Sequence, residues 1–179
     1  MTSDVSVRLG WADDAPALAD VQMRAWRARY AGVLPADVLD SLDRSTLTAS
    51  WAEALRGGSD ARQRVLVALD RATVVGYVLT SPAVDSDCDP IADGEMIDLE
   101  VDPDRREQGH GARLMQAAVD TLVSDRFTHA VTWLGTTDDT MRNFLTEAGW
   151  TADGAHRTLD LTGDGATLVK QVRLHVSIG

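Results

Sequence analysis

The sequence predicts a mixed α/β (α+β) fold in a single domain spanning residues 1–179, and three observations carry that prediction. Stretches of strict apolar–polar alternation are interleaved with stretches whose apolar residues recur every three to four positions, the periods of strands and helices. Their order is strand, two helices, three strands, helix, strand, helix, two strands, which fits a largely antiparallel sheet of six to seven strands flanked by about four helices. Between the fourth strand and the helix after it lies a turn with two glycines, "DRREQGHGARLM" from Asp104 to Met115.

Val5 to Leu9 alternates and reads as the first strand. Ala12 to Tyr30 follows with Asp13 or Asp14 as helix cap, Pro16 in the first turn and a stripe of Leu18, Val21, Ala25 and Trp26. A second helical region runs through "ADVLDSL" and "TLTASWAEALR" to a stop at Gly57 and Gly58. "RVLVALD" and "TVVGYVLT", separated by Arg71 and Ala72, form an antiparallel hairpin. Ser81 to Gly94, rich in Pro, Asp and Ser, is a loop, and "EMIDLEV" is the fourth strand. Leu114, Ala118 and Leu122 beside Met115, Val119 and Val123 make Ala112 to Val123 a helix that the two glycines open. "HAVTWL" is a strand, and "DDTMRNFLTEAG" a helix with an Asp cap and Gly149 as its stop. "AHRTLDL" and "TLVKQVRLHVSI" flank the turn "TGDG" as a closing hairpin.

The bulk composition narrows the function. Among 179 residues there is no apolar run near the ~20 needed to span a bilayer, and the N-terminus carries no secretory pattern. Cys88 is the only cysteine, which excludes an internal disulfide and suits a reducing cytoplasm. A net charge of −11 disfavours nucleic acid and anionic membranes as partners. Between Ala72 and Asp104 there is no Lys or Arg but a run of nine acids, so an acidic approach beside a basic turn suits a cationic substrate meeting an anionic cofactor. A solvated acidic loop explains any single Asp equally well. "DSDCDP" begins like a calcium loop, but Pro90 stands where the turn demands Gly and Met96 where it demands Glu. His110, His129, His156 and His175 lack metal-ligand spacing, and no metal is expected.

At a strand-to-helix turn the first amides have no helical acceptor and the helix dipole favours an anion. Glycines let the backbone approach such an anion closely, and Arg105, Arg106 and Arg113 can add charge-assisted bonds, so the turn is a diphosphate site. A dinucleotide turn would need a third glycine where Leu114 stands, and a nucleotide P-loop would need Gly-Lys-Ser/Thr.

Arg106-Glu107-Gln108-Gly109-His110-Gly111 matches R/Q-x-x-G-x-G/A, the pyrophosphate motif of the GNAT superfamily of acetyl-CoA-dependent N-acetyltransferases. "LEVDPDRREQGHGARLM" resembles that family's fourth strand and following helix, "FLTEAGW" its later helix and turn, and "RAWRARYAGVLPADVLDSL" a first-helix pattern of many bacterial members. The resemblance covers essentially the whole chain. It implies a sheet splayed between the fourth and fifth strands, with the pantetheine arm of coenzyme A in the gap. The backbone of Leu99 and Val101 would pair with pantetheine, and amides from Gln108 to Ala112 would hold the pyrophosphate. Asp138 falls where the family commonly has an Asn that contacts coenzyme A.

The resemblance further implies transfer of acetyl from acetyl-CoA to a primary amine, of a small molecule or a peptide, by direct attack in a ternary complex. Glu95 matches the family's general base. Strand alternation places it with Ile97, Leu99 and Val101, and Asp98 and Glu100 on the other face; a bulge would break that parity, so Glu100 is the second candidate. The tyrosine that usually protonates the thiolate falls on Leu145, leaving water, Tyr77, His110 or Thr146 as donors. A chain with no such acid also reads as a weakly catalytic acyl-CoA-binding or sensor module. Trp26 and Tyr30 lie one turn apart and serve either to wall an acceptor cleft or to pack the core. Homodimers are common in the family, and the assembly is open.

Overall fold

A computed structural model describes residues 4–179, and its elements follow the predicted order closely. A single seven-stranded sheet runs β1 (Val5–Leu9), β2 (Arg64–Asp70), β3 (Thr73–Pro82), β4 (Asp93–Val101), β5 (His129–Gly135), β7 (Leu168–Ser177), β6 (Thr151–Asp160) across its width. Every neighbouring pair is antiparallel except β4 and β5, which are parallel.

Five α-helices, rather than about four, flank the sheet among the described residues: α1 (Ala15–Tyr30), α2 (Ala36–Asp40), α3 (Arg44–Leu55), α4 (His110–Ser124) and α5 (Asp139–Glu147). The expected second helix is two because Asp43 restarts the chain: its carboxylate accepts the Thr46 amide at 2.8 Å and caps α3. Asp14 does not cap α1 with its side chain. It turns back to accept the Trp11 amide and pairs with Arg8 at 2.7 Å, tying β1 to the helix. The expected loop from Ser81 to Gly94 is shorter, since β3 runs on to Pro82 and β4 begins at Asp93. β6 begins at Thr151 rather than Ala155, its early residues being carried past a register shift that contains left-handed Gly154.

Apolar residues cover both faces of the sheet. On one face Leu114, Ala118 and Leu122 of α4 pack with Leu66, Val78, Met96, Leu99 and Phe127. On the other, Leu18 and Val21 of α1 and Trp51 of α3 pack with Val65, Val67 and Tyr77. Strand and helix crowd Gly76, where an added Cβ would lie 2.7 Å from the Glu100 carbonyl oxygen and 3.0 Å from Leu114 Cδ1. Gly76→Ala is therefore expected to destabilise the fold by about 2 kcal/mol, because neither backbone nor helix can retreat cheaply. Urea unfolding at neutral pH measures that loss.

Candidate active site

The strands β4 and β5 part company almost as soon as they meet. Only Asp93, Gly94 and Glu95 pair with His129, Ala130 and Val131. The next link is a side chain, the Thr132 hydroxyl donating to the Met96 carbonyl at 2.7 Å. Beyond it β4 carries no ladder to β5, although β3 still pairs along its other edge. The result is the splayed gap expected between the fourth and fifth strands, with the edge of Leu99 and Val101 toward β5 left unpaired by any strand.

A bulge decides which side chains face which way. The β3–β4 register steps from Leu79↔Ile97 to Tyr77↔Glu100, and Asp98 adopts φ +51°, a left-handed conformation that Asp tolerates better than most side chains. Simple alternation put Leu99 and Val101 beside Glu95; the structure places them on the α4 face instead, in or against its core cluster. Glu95, Ile97 and Glu100 share the opposite face, under α1 and α3. The bulge thus brings together the two carboxylates that alternation separates.

Both carboxylates are perturbed. Glu95 is 7% exposed, and burial, reinforced by Asp85, raises its pKa to about 7. Glu100 is 2% exposed and is likewise raised to about 7, mainly by burial and against the pull of Arg29. They differ in company. Arg29 of α1 reaches Glu100 Oε1 at 2.5 Å and Asp138 at 3.6 Å, so one guanidinium links β4 to the chain just past β5, across the gap. The contact with Glu100 is one of charge, as Oε1 receives no directed hydrogen bond. Glu95 has no ion-pair or hydrogen-bond partner among the described residues.

Asp98 escaped the sequence reading, which had turned it away from the site. It stays exposed to solvent, while the protein around it raises its pKa, chiefly by desolvation. Its charge acts on Arg29, Tyr30, Tyr77, Glu95 and Glu100 alike, so it lies near the group that contains both carboxylates. The signal that finds it is the bulge, a property of pairing register with no counterpart in the residue pattern. Tyr30 lines the same cleft, and Trp26 packs edge-on against it with ring centroids 5.8 Å apart. Across the cleft Arg157 lies over the Trp133 ring at 4.3 Å, and the Trp133 indole donates to Asp85 at 3.0 Å.

At the other end of β4 the glycine turn opens α4. Gly109 is the N-cap with φ +82°, and Glu107 is also left-handed at φ +61°. The first amides of α4, from His110 to Ala112, have no helical acceptors and point out of the helix start. Gly111 sits against Val101 and Phe144, each 3.8 Å from where a Cβ would be. Of the three arginines, Arg113 folds over the turn and donates to the Gln108 carbonyl at 3.1 Å, while Arg106 is exposed. Arg105 is drawn off instead to Asp70 on β2, at 2.5 Å. Asp138 accepts the Met141 amide at 3.1 Å and so caps α5.

The replacement acids are placed unequally. Leu145 is 1% exposed and packed in the α4-side core. His110 is buried beneath the first turn of α4, where burial lowers its pKa. Thr146 is exposed on α5. Tyr77 lies on the same side of the sheet as Glu100, with which it pairs across strands; it is 1% exposed and packs against the Trp51 ring, and burial holds its phenol protonated well above the ordinary range.

The acidic run is largely consumed within the protein. Arg173 binds Asp85 at 3.0 Å, Asp87 at 2.6 Å and Asp153 at 2.5 Å, so the one group of potential metal ligands that converges among the described residues, Asp85, Asp87 and Cys88, meets a cation the chain supplies itself. Asp93 holds His129 at 3.0 Å, which in turn meets His175 at 2.8 Å. Two histidines far apart in sequence meet because β5 and β7 pair.

These features have close parallels. The Acetyltransferase (GNAT) family model matches residues 21–150, and the chain belongs to that family. It is 27% identical over 132 residues to the uncharacterized N-acetyltransferase YuaI of Bacillus subtilis (strain 168), covering 73% of this chain and 71% of that one. Among solved structures it resembles the PaiA N-acetyltransferase of Thermoplasma acidophilum in complex with coenzyme A, with a TM-score of 0.76, 15% identity and coverage of 97% and 99%. A ribosomal-protein-alanine N-acetyltransferase from Brucella melitensis is similar at a TM-score of 0.72, with 16% identity and coverage of 97% and 99%. Acetyl transfer is the activity class that this membership defines.

Proposed function

We propose that the protein moves the acetyl group of acetyl-CoA to a primary amine by direct attack in a ternary complex, within a single domain. The observation that carries the reading is the joining of two features by one strand: β4 runs from the unpartnered Glu95 through an open edge to the glycine turn. The residues present fit coenzyme A. The amides of the turn and Arg106 suit the diphosphate, and the unpaired edge at Leu99 and Val101 offers hydrogen bonds to an extended arm. An acyl thioester bound there supplies an activated carbonyl.

This chain's part is then to hold and move protons. Glu95 takes a proton from the substrate ammonium, directly or through one water, and Asp98 holds the ammonium in the cleft before that transfer. A backbone N–H at the bulge near Leu99 stabilises the oxyanion. Tyr77, protonated and on the same side of the sheet as Glu100, is the donor nearest the two carboxylates to replace the missing tyrosine at Leu145. Glu100, held by Arg29, is a structural anion rather than the base.

The test is release of free thiol on mixing protein, acetyl-CoA and a panel of primary amines, beside calorimetric titration of coenzyme A. Gly109→Val forces a β-branched residue to φ +82° and places its side chain over the turn. It is expected to weaken coenzyme A binding by about a hundredfold or more. The buried Leu145 favours a second reading, a binding module without turnover. Tight coenzyme A binding with no thiol release on any amine selects it.

A further inference from the structure

Beside Glu95 lies a cavity of about 470 Å³ between the C-terminal half of α3 and the sheet, of a size that takes a small organic group. Its sheet wall is made by Val65, Leu79, Ser81 and Ile97, and its helix wall includes Ser50 and Ala54. Ser81 pairs across strands with Glu95, and Leu79 with Ile97. Paired residues point to one face, as do Glu95 and Ile97 two positions apart, so the cavity and the Glu95 carboxylate open on the same side of β4. Two residues of strand separate Glu95 from Ile97 by roughly 7 Å, the length of about five or six bonds.

Most of the polar side chains nearest Glu95 in this cavity are already engaged, while Gln63 stands at its far, exposed rim. Ser50 donates to the Thr46 carbonyl at 3.1 Å and Ser81 to the Pro82 carbonyl at 3.1 Å. Glu53, the one carboxylate on the rim, is bound by Arg56 at 2.7 Å and is largely exposed. Two aspartates of the acidic loop that would attract a polycation are likewise already bound by Arg173. What the end of the cavity beside Glu95 offers a ligand is therefore mainly apolar surface from Ala54, Val65, Leu79 and Ile97.

We infer that this cavity is the tail subsite for the acceptor, and that the acceptor is a primary amine on an apolar alkyl or arylalkyl chain rather than a polyamine. The inference rests on the proposed acetyl transfer at Glu95 for its orientation: the amino group lies at the carboxylate and the chain lies under α3. Burial of the apolar chain supplies binding energy that a second ammonium would forfeit on desolvation.

The experiment uses the full chain and four amines, n-hexylamine, 4-phenylbutylamine, ethanolamine and spermidine. By thiol release, kcat/KM for hexylamine is expected to exceed that for spermidine by at least about tenfold. Ala54→Trp puts a large ring at the exposed cavity rim, where the helix tolerates it. It is expected to raise KM for hexylamine by about tenfold or more while leaving ethanolamine turnover and coenzyme A affinity unchanged. Ser50→Trp, one turn earlier on the same wall, repeats the test should the first variant fold poorly. Calorimetric titration of 4-phenylbutylamine into the coenzyme A complex reads the subsite without turnover, and binding should weaken in both variants. A preference for spermidine, or tryptophan variants that match wild type in both readouts, overturns the inference. If no amine is acetylated yet 4-phenylbutylamine binds and the variants abolish it, the subsite stands and the acetyl-transfer reading falls. If nothing binds and nothing is acetylated, both fall.

Discussion

Glu95→Gln is expected to lower kcat by about a hundredfold or more, within the range ascribed to general-base catalysis, while coenzyme A affinity stays near that of wild type. Glutamine keeps the shape and cannot accept the proton. The pH profile supplies the sharper readout. The Glu95 carboxyl has a pKa of about 7, raised from 4.5, so it is protonated and idle in mildly acidic solution and becomes competent as pH rises through neutrality. The wild-type rate should therefore climb with pH across about 7 and level off above it, and in Glu95→Gln that limb should vanish. Glu100 has a similar pKa, yet Arg29 faces it, so Glu100→Gln should keep the limb and most of the rate. A Glu95→Gln enzyme as fast as wild type removes Glu95 from the base role. The converse result, loss of the limb in Glu100→Gln alone, moves that role to Glu100.

The two carboxylates show where sequence reasoning stops. Period-two and helical patterns located all seven strands and the helix core, because burial on one face leaves a direct mark on residue type. The glycine turn was legible because backbone conformations such as that of Gly109 restrict residue choice strongly. The side on which Glu100 lies was not. It depends on one extra residue in the β3–β4 register, and Asp98, which occupies the bulge, is unremarkable in a run of acids. The same limit applies to the acid run as a whole. In sequence it reads as a field that attracts cations, whereas Arg173, some eighty residues away, takes up two of its members. Long-range pairing sets which charges remain available, and a single chain read linearly carries no record of it.

Arg29→Met tests the second carboxylate through stability. Removing one partner of a buried ion pair strands the other, a loss of about 3 kcal/mol when the remaining group is as enclosed as Glu100. The contact with Asp138 at 3.6 Å is half-open to solvent and adds little. The pH dependence separates this cause from ordinary loss of packing. The pKa of Glu100 is about 7 in the folded protein against an ordinary 4.5, so between those values the folded state holds more protons than the unfolded one. Stability that involves this group is thus highest below about 4.5 and declines as pH rises toward 7. Without Arg29 the folded pKa moves higher still, because a charge that favours the anion is gone, and the decline extends past neutrality. The variant should lie close to wild type in urea unfolding at about pH 5 and fall furthest below it at about pH 8. Adding Glu100→Gln to Arg29→Met should recover most of the loss at the higher pH, since a neutral amide no longer needs the guanidinium. A deficit of equal size at both pH values, unrelieved in the double variant, would show that Arg29 stabilises the fold by packing its stem between α1 and the sheet rather than by holding Glu100 as an anion.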